Sequence, residues 1–357
     1  MRQQHDSNAI PTGGYFPPQA QPPQKKPDQP KKQRPHINPW RLLILLVCVG
    51  VMVFCVVALA RYFGDAAGAA QVSRQLREEY QQALAQANTD TLTDTPAPRT
   101  VEEIVPTAAP QTTAASTPAP TLELPDSAYD AASERTRLTA YPDNPKLTVS
   151  SHFTSLRKRN DDIVGWLTIE GLLDEAVVQR DNEYYLTRDY LGYHNVTGAL
   201  FLDEGCKLKQ VPEQLVVHGH NMKTGAMFGC LKKYKVKGSS FLRENPYIRF
   251  DTLYESATYV IFAVLEADCR PEESMFFDFI SHPTFATDEA FAAYVARAKL
   301  LSMYKVPLEV APSDRLLTLA TCSGTNEDTR LLVMARMLRP DEDEIELNKA
   351  LYSITSK

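Results

Sequence analysis

Cys322 closes the apolar run LLTLATC, the polar stretch SGTNEDT follows, and Arg330 leads into a second apolar run, LLVMARML. Two neighbouring strands joined by such a loop would set Cys322 and Arg330 side by side at one end of a sheet. A permanently charged guanidinium beside a thiol favours the thiolate, which is the nucleophilic form. It also offers several donors to an oxyanion developing on an attacked carbonyl. His220 closes a third strand-like run, QLVVHGH. Imidazole titrates near neutrality, so at a strand end beside Cys322 it takes a proton from the thiol and returns one to a leaving amine, the two transfers that acyl exchange requires.

Plainer readings stand beside this one. A cysteine on an apolar strand is usually a small buried hydrophobe, and a strand histidine is usually a satisfied structural residue. His218, His220 and Cys230 offer a zinc set as an alternative, but alternate strand positions put both histidines on one face without a well-placed further ligand, so no metal and no cofactor is expected. Cys206, Cys230 and Cys269 show no CxxC or regular spacing and read as packing residues. A net charge of -6, from 38 basic and 44 acidic residues, gives no field that would select nucleic acid as a partner.

The elements that must position these residues are mostly strands. NDDIVGWLTIEG, QLVVHGH, ATYVIFAVLEA, RLLTLATC and RLLVMARML are short, β-rich and separated by turns or by the helical run DEAFAAYVARAKLLSMY. The expected class is therefore mainly β, a closed or nearly closed barrel with helical insertions. Phe153 and Leu156 sit on a short helix before the first strand, and Thr224 is placed to cap a helix carrying Met227, Phe228 and Leu231 inward. A final amphipathic helix in DEDEIELNKALYSITSK sets Leu347, Leu351 and Ile354 on one side.

Upstream, composition changes sharply, with most of the 25 prolines crowded into the first third. Residues 1–39 are Pro-, Gln- and Lys-rich and read as a disordered cytoplasmic tail, since such a composition buries too little apolar surface to offset ordering entropy. Residues 42–60, within an anchor spanning 40–61, are almost wholly apolar, and nineteen residues in a helix match the roughly 30 Å hydrocarbon core of a bilayer. Lys25, Lys26, Lys31, Lys32, Arg34 and Arg41 precede the run, so the positive-inside bias leaves the N-terminus in the cytoplasm and the rest of the chain outside, as a single-pass cell-membrane protein. A cleaved signal peptide, the rival reading, would have a shorter apolar region nearer the start. Over residues 62–90, Val72, Leu76, Tyr80, Ala83 and Ala87 recur at helical spacing, which predicts an amphipathic helix extending from the anchor. The Thr/Pro/Ala-rich residues 91–136 read as an extended spacer with a reach on the order of 100 Å, ahead of a globular domain at 137–357.

Four ordered blocks resemble the class B sortases: NDDIVGWLTIEG at 160–171, VVQRDNEYYLTRDYLGYHNVTGALFLD at 177–203, GHNMKTGAMFGCLKKY at 219–234 and TLATCSGTNEDTRLLVMARML at 318–338. The resemblance covers about Phe153 to Leu338. It implies a closed sortase-like barrel with N-terminal, inserted and C-terminal helices, and a catalytic triad of His220, Cys322 and Arg330. Asn182 and Leu186 match positions lining the family's substrate groove, and Tyr304 is a further candidate for the opposite wall. The sequence departs from the family where His218 replaces a common Tyr, Ala320 a common Ser and Ala176 a usual Pro; His218 and Ala320 adjoin the implied groove and bear on substrate sequence. The implied reaction is cleavage after the Thr of a Pro-x-Thr type C-terminal sorting signal on a surface protein. The acyl group then passes through a thioester to a peptidoglycan-precursor amine. A pilin lysine as acceptor, hydrolysis by water, and a non-enzymatic adhesin on a stalk are the alternatives.

Overall fold

Short β-rich runs with apolar residues on both faces satisfy their backbone groups by pairing with one another and closing the sheet. The computed structural model describes residues 39–93, 137–236, 238, 240–322 and 328–357. Its first elements are α1 (Pro39–Thr93), α2 (Thr154–Arg159), β1 (Ile163–Ile169), β2 (Leu173–Val178), β3 (Phe201–Leu202) and β4 (Gln214–His218). After them come α3 (Ser240–Glu244), β5 (Tyr247–Thr252), β6 (Ser256–Asp268), α4 (Asp288–Leu301) and β7 (Tyr304–Lys305). The chain finishes with β8 (Leu316–Cys322), β9 (Thr329–Met337), α5 (Glu344–Tyr352) and β10 (Thr355–Ser356). The barrel runs β1-β2-β3-β4-β8-β9-β6-β5 and closes where β5 pairs with β1. Its neighbours are antiparallel except for the parallel pairs β2/β3 and β4/β8.

The chain divides into two units, Met1–Val56 and Val57–Lys357. In the first, the described residues are helical, and every large apolar side chain from Leu42 to Phe54 is exposed. This helix is long and apolar enough to cross a membrane. In the second unit, the later part of α1 turns one stripe toward the barrel, with Ala69, Ser73, Leu76 and Tyr80 buried and Tyr62, Val72 and Leu84 packed at its margins. Tyr80 anchors the stripe, its ring stacking on Trp166 at 4.3 Å and 9°. Its hydroxyl donates to the Asp251 carboxylate. Burial and that carboxylate push the Tyr80 hydroxyl well above its usual pKa, so it remains a donor. Trp166 Nε1 in turn donates to Asp174 Oδ1 at 2.6 Å, and Arg77 Nη2 to the Asp174 carbonyl at 2.7 Å.

Residues 94–136 lie outside the described residues, but the segments before and after them belong to one folded unit. Contacts of residues 62–84 hold the later part of α1 against the barrel. Most of the expected tail at 1–39 also lies outside the described residues.

Elsewhere the helices follow their apolar spacing. In α4, Phe291, Tyr294, Val295 and Ala298 are buried, and the Thr287 hydroxyl caps the helix by accepting from the Ala290 amide at 3.1 Å. Leu347, Leu351 and Ile354 are buried, but α5 ends at Tyr352, and Thr355 and Ser356 leave it to pair with Lys305 and Tyr304. The Thr224 hydroxyl accepts from the Ala226 amide within a turn. The buried Phe228 and Leu231 then sit on a 3-10 helix, where an α-helix capped by Thr224 was expected.

Replacing Tyr80 by Ala removes a buried ring and leaves Trp166 without its stacking partner. Urea unfolding of the full chain in detergent should show a loss of roughly 3–5 kcal/mol with a red shift of Trp166 emission. A loss within about 0.5 kcal/mol of zero would mean that α1 contributes nothing to barrel stability.

Candidate active site

Strands β4 and β8 run in the same direction, with register from Gln214 opposite Leu316 to His218 opposite Ala320. The last pair, His218 with Ala320, is closed by a hydrogen bond from the Gly219 amide to the Ala320 carbonyl at 3.2 Å. His220 follows the last residue of β4 by two positions, as Cys322 follows Ala320 on β8. On the other side of β8 the pairing is antiparallel, with Cys322 directly opposite Arg330, and Arg330 is opposite Ala267 on β6. Residues directly opposed in such a ladder have Cβ atoms about 5 Å apart. Position 322 is therefore opposite Arg330 at one end of the barrel, and the strand on its other side, β4, leads into His220. The intervening stretch 323–327 lies outside the described residues.

His220 is half-buried, with Nε2 2.7 Å from the carbonyl of Leu186. A carbonyl only accepts, so Nε2 carries the proton, and Nδ1 of the neutral ring is the nitrogen left to accept one. Gly198 makes this approach possible. It adopts φ +62°, and a Cβ there would lie 2.8 Å from the Tyr185 carbonyl, 2.9 Å from His220 Cδ2 and 3.0 Å from the Leu186 carbonyl. No other residue type meets both the dihedral and the contact.

Beside the histidine lies a buried carboxylate that sequence reasoning did not single out. Asp203, 2% exposed, accepts at Oδ2 from His218 Nε2 at 2.9 Å and from Asn182 Nδ2 at 3.0 Å, and at Oδ1 from the Gly205 amide at 2.8 Å. Burial alone would raise this carboxyl, but the hydrogen bonds from His218, Gly205 and Asn182 outweigh it and hold the group below the usual carboxylate range. Asn182 also accepts from the Glu204 amide at 2.9 Å through Oδ1. His218 stacks on Phe201, with centroids 5.1 Å apart. The only sequence signal for this hub is an acid following an apolar strand, which is common at surfaces as well.

The structure revises several expected site residues. The Asn182 amide is engaged with Asp203 and Glu204, so its bonds to a peptide are limited to its remaining N–H. Leu186 contributes its carbonyl to His220, while its side chain is 38% exposed. Ala320 is buried opposite His218. Tyr304 does not fit a groove wall: it is buried, and its hydroxyl lies on the carbonyls of Tyr234 and Val236 at 2.6 and 2.9 Å. Among the other thiols, burial pushes Cys206 up to about 12 and Cys230 up to about 11, which makes both poor nucleophiles. Cys269, expected to be a packing residue, is exposed. His218, His220 and Cys230 have separate partners in Asp203, Leu186 and Met227. Among the described residues no group of three or more His, Cys, Asp or Glu is placed to hold a metal ion.

A family model described as the sortase domain matches residues 167–338. Sortase B of Listeria monocytogenes is 31% identical over 195 residues, which cover 53% of this chain and 75% of that protein. Sortase B of Staphylococcus aureus is 28% identical over 195 residues, covering 54% and 76% respectively. A solved structure described as a Staphylococcus aureus sortase B-substrate complex has 27% identity and a TM-score of 0.48, covering 54% of this chain and 87% of that one.

Gly198→Ala should leave the barrel folded, lower its stability by about 1–2 kcal/mol through the left-handed backbone, and shift the NMR resonances of the His220 ring. Unchanged His220 resonances would show that Gly198 does not define the histidine's position. Because the Asp203 carboxyl has a lower pKa folded than unfolded, its contribution is complete above about pH 4 and is lost as pH falls through the folded value. The wild-type melting temperature should therefore fall more steeply than that of Asp203→Asn as the medium is acidified below about pH 4. Parallel curves would remove Asp203 from the acid response.

Proposed function

We propose, for a chain that belongs to the class B sortases, a membrane-anchored cysteine transpeptidase with Cys322 as nucleophile, His220 as acid and base, and Arg330 as the oxyanion partner. The observation that carries this reading is that Cys322 is paired opposite Arg330 on β9 while the other neighbour of β8 is β4, the strand that leads into His220. In the first step the Cys322 thiolate attacks the carbonyl carbon of a Thr in a Pro-x-Thr type signal. The tetrahedral oxyanion is held by the Arg330 guanidinium, the C–N bond breaks, and the departing amine takes a proton from His220. In the second step an amine of a peptidoglycan precursor attacks the thioester carbonyl, His220 accepts its proton, and Cys322 departs as thiolate. Nδ1 is the nitrogen suited to both transfers, because Nε2 is committed to the Leu186 carbonyl.

The apolar helix supports the anchorage, and the basic residues before it support an N-terminus in the cytoplasm with the barrel outside. A surface protein held by its own apolar span would present its sorting signal on that same side of the bilayer. Asn182 and Leu186 border the groove in this reading, acting through the Asp203 hub and the His220 carbonyl contact more than through direct peptide contacts. His218 and Ala320 face each other across the β4/β8 pair, so they bear on the residues flanking the Pro and Thr.

The test is mass spectrometry of the full chain in lipid nanodiscs with Pro-x-Thr peptides and candidate amines. It should detect a thioester on Cys322 and an amine-linked product. Cys322→Ala should keep the fold and lose both species, and His220→Ala should slow turnover by roughly 10²–10⁴-fold. Arg330→Lys should lower kcat more than it changes KM, since a compact ammonium lacks the planar fork. A folded Cys322→Ala protein with wild-type turnover would sink the proposal.

A further inference from the structure

Asn160 and Asp162 open the block NDDIVGWLTIEG, just ahead of β1, and their side chains converge on one buried hydroxyl. Tyr185 is 1% exposed, and its Oη donates to Asp162 Oδ2 at 2.8 Å and accepts from Asn160 Nδ2 at 2.8 Å. The same Asn160 nitrogen donates to the Tyr190 carbonyl at 2.7 Å, and Asn160 Oδ1 accepts from the Asp162 amide at 3.0 Å. The Asp162 carbonyl accepts from the Gln179 amide at 2.8 Å, and Gln179 Nε2 donates to the carbonyls of Asp203 and Cys206 at 2.9 and 2.7 Å. Burial foremost, with the Asp162 carboxylate, pushes the Tyr185 hydroxyl well above its usual pKa, so it stays a donor.

The residue after Tyr185 is Leu186, whose carbonyl accepts from His220 Nε2. A carbonyl is aimed by the peptide planes around it, and here both neighbours are bonded. The Tyr185 carbonyl accepts from the Ala199 amide at 3.1 Å, and the Thr187 carbonyl from the Asn195 amide at 2.9 Å. Both donors belong to the same excursion between β2 and β3, so these bonds shape the excursion without placing it against the barrel. Tyr185 Oη ties it to the turn ahead of β1, through a bond to a carboxylate that is roughly twice as strong as a neutral one. If the Leu186 carbonyl moves away from Nε2, the ring is free to take the other neutral tautomer, in which Nδ1 carries the proton and accepts none.

We propose that Tyr185, held by Asn160 and Asp162, is a positioning residue for His220: it fixes the Leu186 carbonyl that keeps the proton on Nε2 and leaves Nδ1 to accept one. Its kinetic consequence rests on the reading of His220 as acid and base, and its effect on the ring rests on the hydrogen bonds alone.

The test uses the full chain in lipid nanodiscs with nitrogen-15-labelled histidine. The sequence has seven histidines, and the His220→Ala spectrum identifies the resonances of His220. In the neutral wild-type ring the signals should report a protonated Nε2 and a bare Nδ1. Tyr185→Phe deletes the hydroxyl and keeps the ring, so it should move His220 toward a mixture of tautomers and lower kcat by roughly 10–100-fold with little change in KM. Asp162→Ala should do the same. Asp162→Asn, whose amide oxygen still accepts from the hydroxyl, should recover most of the loss, and the Tyr185→Phe/Asp162→Ala double variant should be no worse than either single change. Tyr234→Phe is the control: it deletes a buried hydroxyl that donates to the Asn245 carbonyl at 2.8 Å. That bond lies near the start of β5, where Tyr247 pairs with Val260, seven residues along β6 from the Ala267 that faces Arg330. The control should keep both the wild-type tautomer and the wild-type kcat. Should Tyr185→Phe not fold, the Asp162→Ala and Asp162→Asn pair makes the same comparison. A folded Tyr185→Phe protein with the wild-type tautomer overturns the inference, as does an equal effect in Tyr234→Phe. A shifted tautomer with wild-type kcat upholds the positioning and sinks Nδ1 as the nitrogen that carries the proton. If the wild type turns over no peptide, the proposed reaction fails and the tautomer of Tyr185→Phe still decides the inference.

Discussion

Parallel pairing between β4 and β8 is the constraint from which the rest of the site follows. In a parallel pair the C-terminal ends of both strands lie at the same edge, whereas in an antiparallel pair the end of one strand meets the start of the next. Strand β8 has one neighbour of each kind. Its last residue, Cys322, therefore lies beside the end of β4, where His220 follows, and beside the start of β9, where Arg330 stands. The price is a long crossover, since parallel strands need a connection that returns to the starting edge. Strands β5, β6 and β7 and helices α3 and α4 all belong to that crossover, and β5 and β6 complete the barrel within it.

Around this frame the site is held by contacts that restrict conformation. The Leu186 carbonyl selects one tautomer of His220, and Gly198 sets how closely the loop approaches the ring. Asp203 would be costly to bury alone, but three donors converge on it, so the buried charge organises Asn182, His218 and the turn at Gly205. A half-satisfied arrangement here would be worse than an apolar one, which ties the positions of these residues to one another.

The later part of α1 is docked on the barrel. Tyr80, Trp166, Asp251 and Asp174 form a stacked and hydrogen-bonded clamp on the outside of β1, β2 and β5.

Local signals were legible in the sequence because they repeat over short distances. The apolar run at 42–60, the stripe at Val72, Leu76 and Tyr80, the face of α4 and the Cys322 to Arg330 hairpin all depend on periodicity or on neighbouring strands. His220 and position 322 are about a hundred residues apart, and what brings their segments together is the parallel pairing of β4 with β8, which no local pattern announces. Tertiary structure alone decided that the Asn182 amide turns to Asp203, that Tyr304 is buried and that Cys269 is exposed. Each of these depends on which distant segment packs against a residue. Composition and spacing describe a residue's own strand or helix, and burial and hydrogen-bond partners are properties of the neighbour that the topology brings to it.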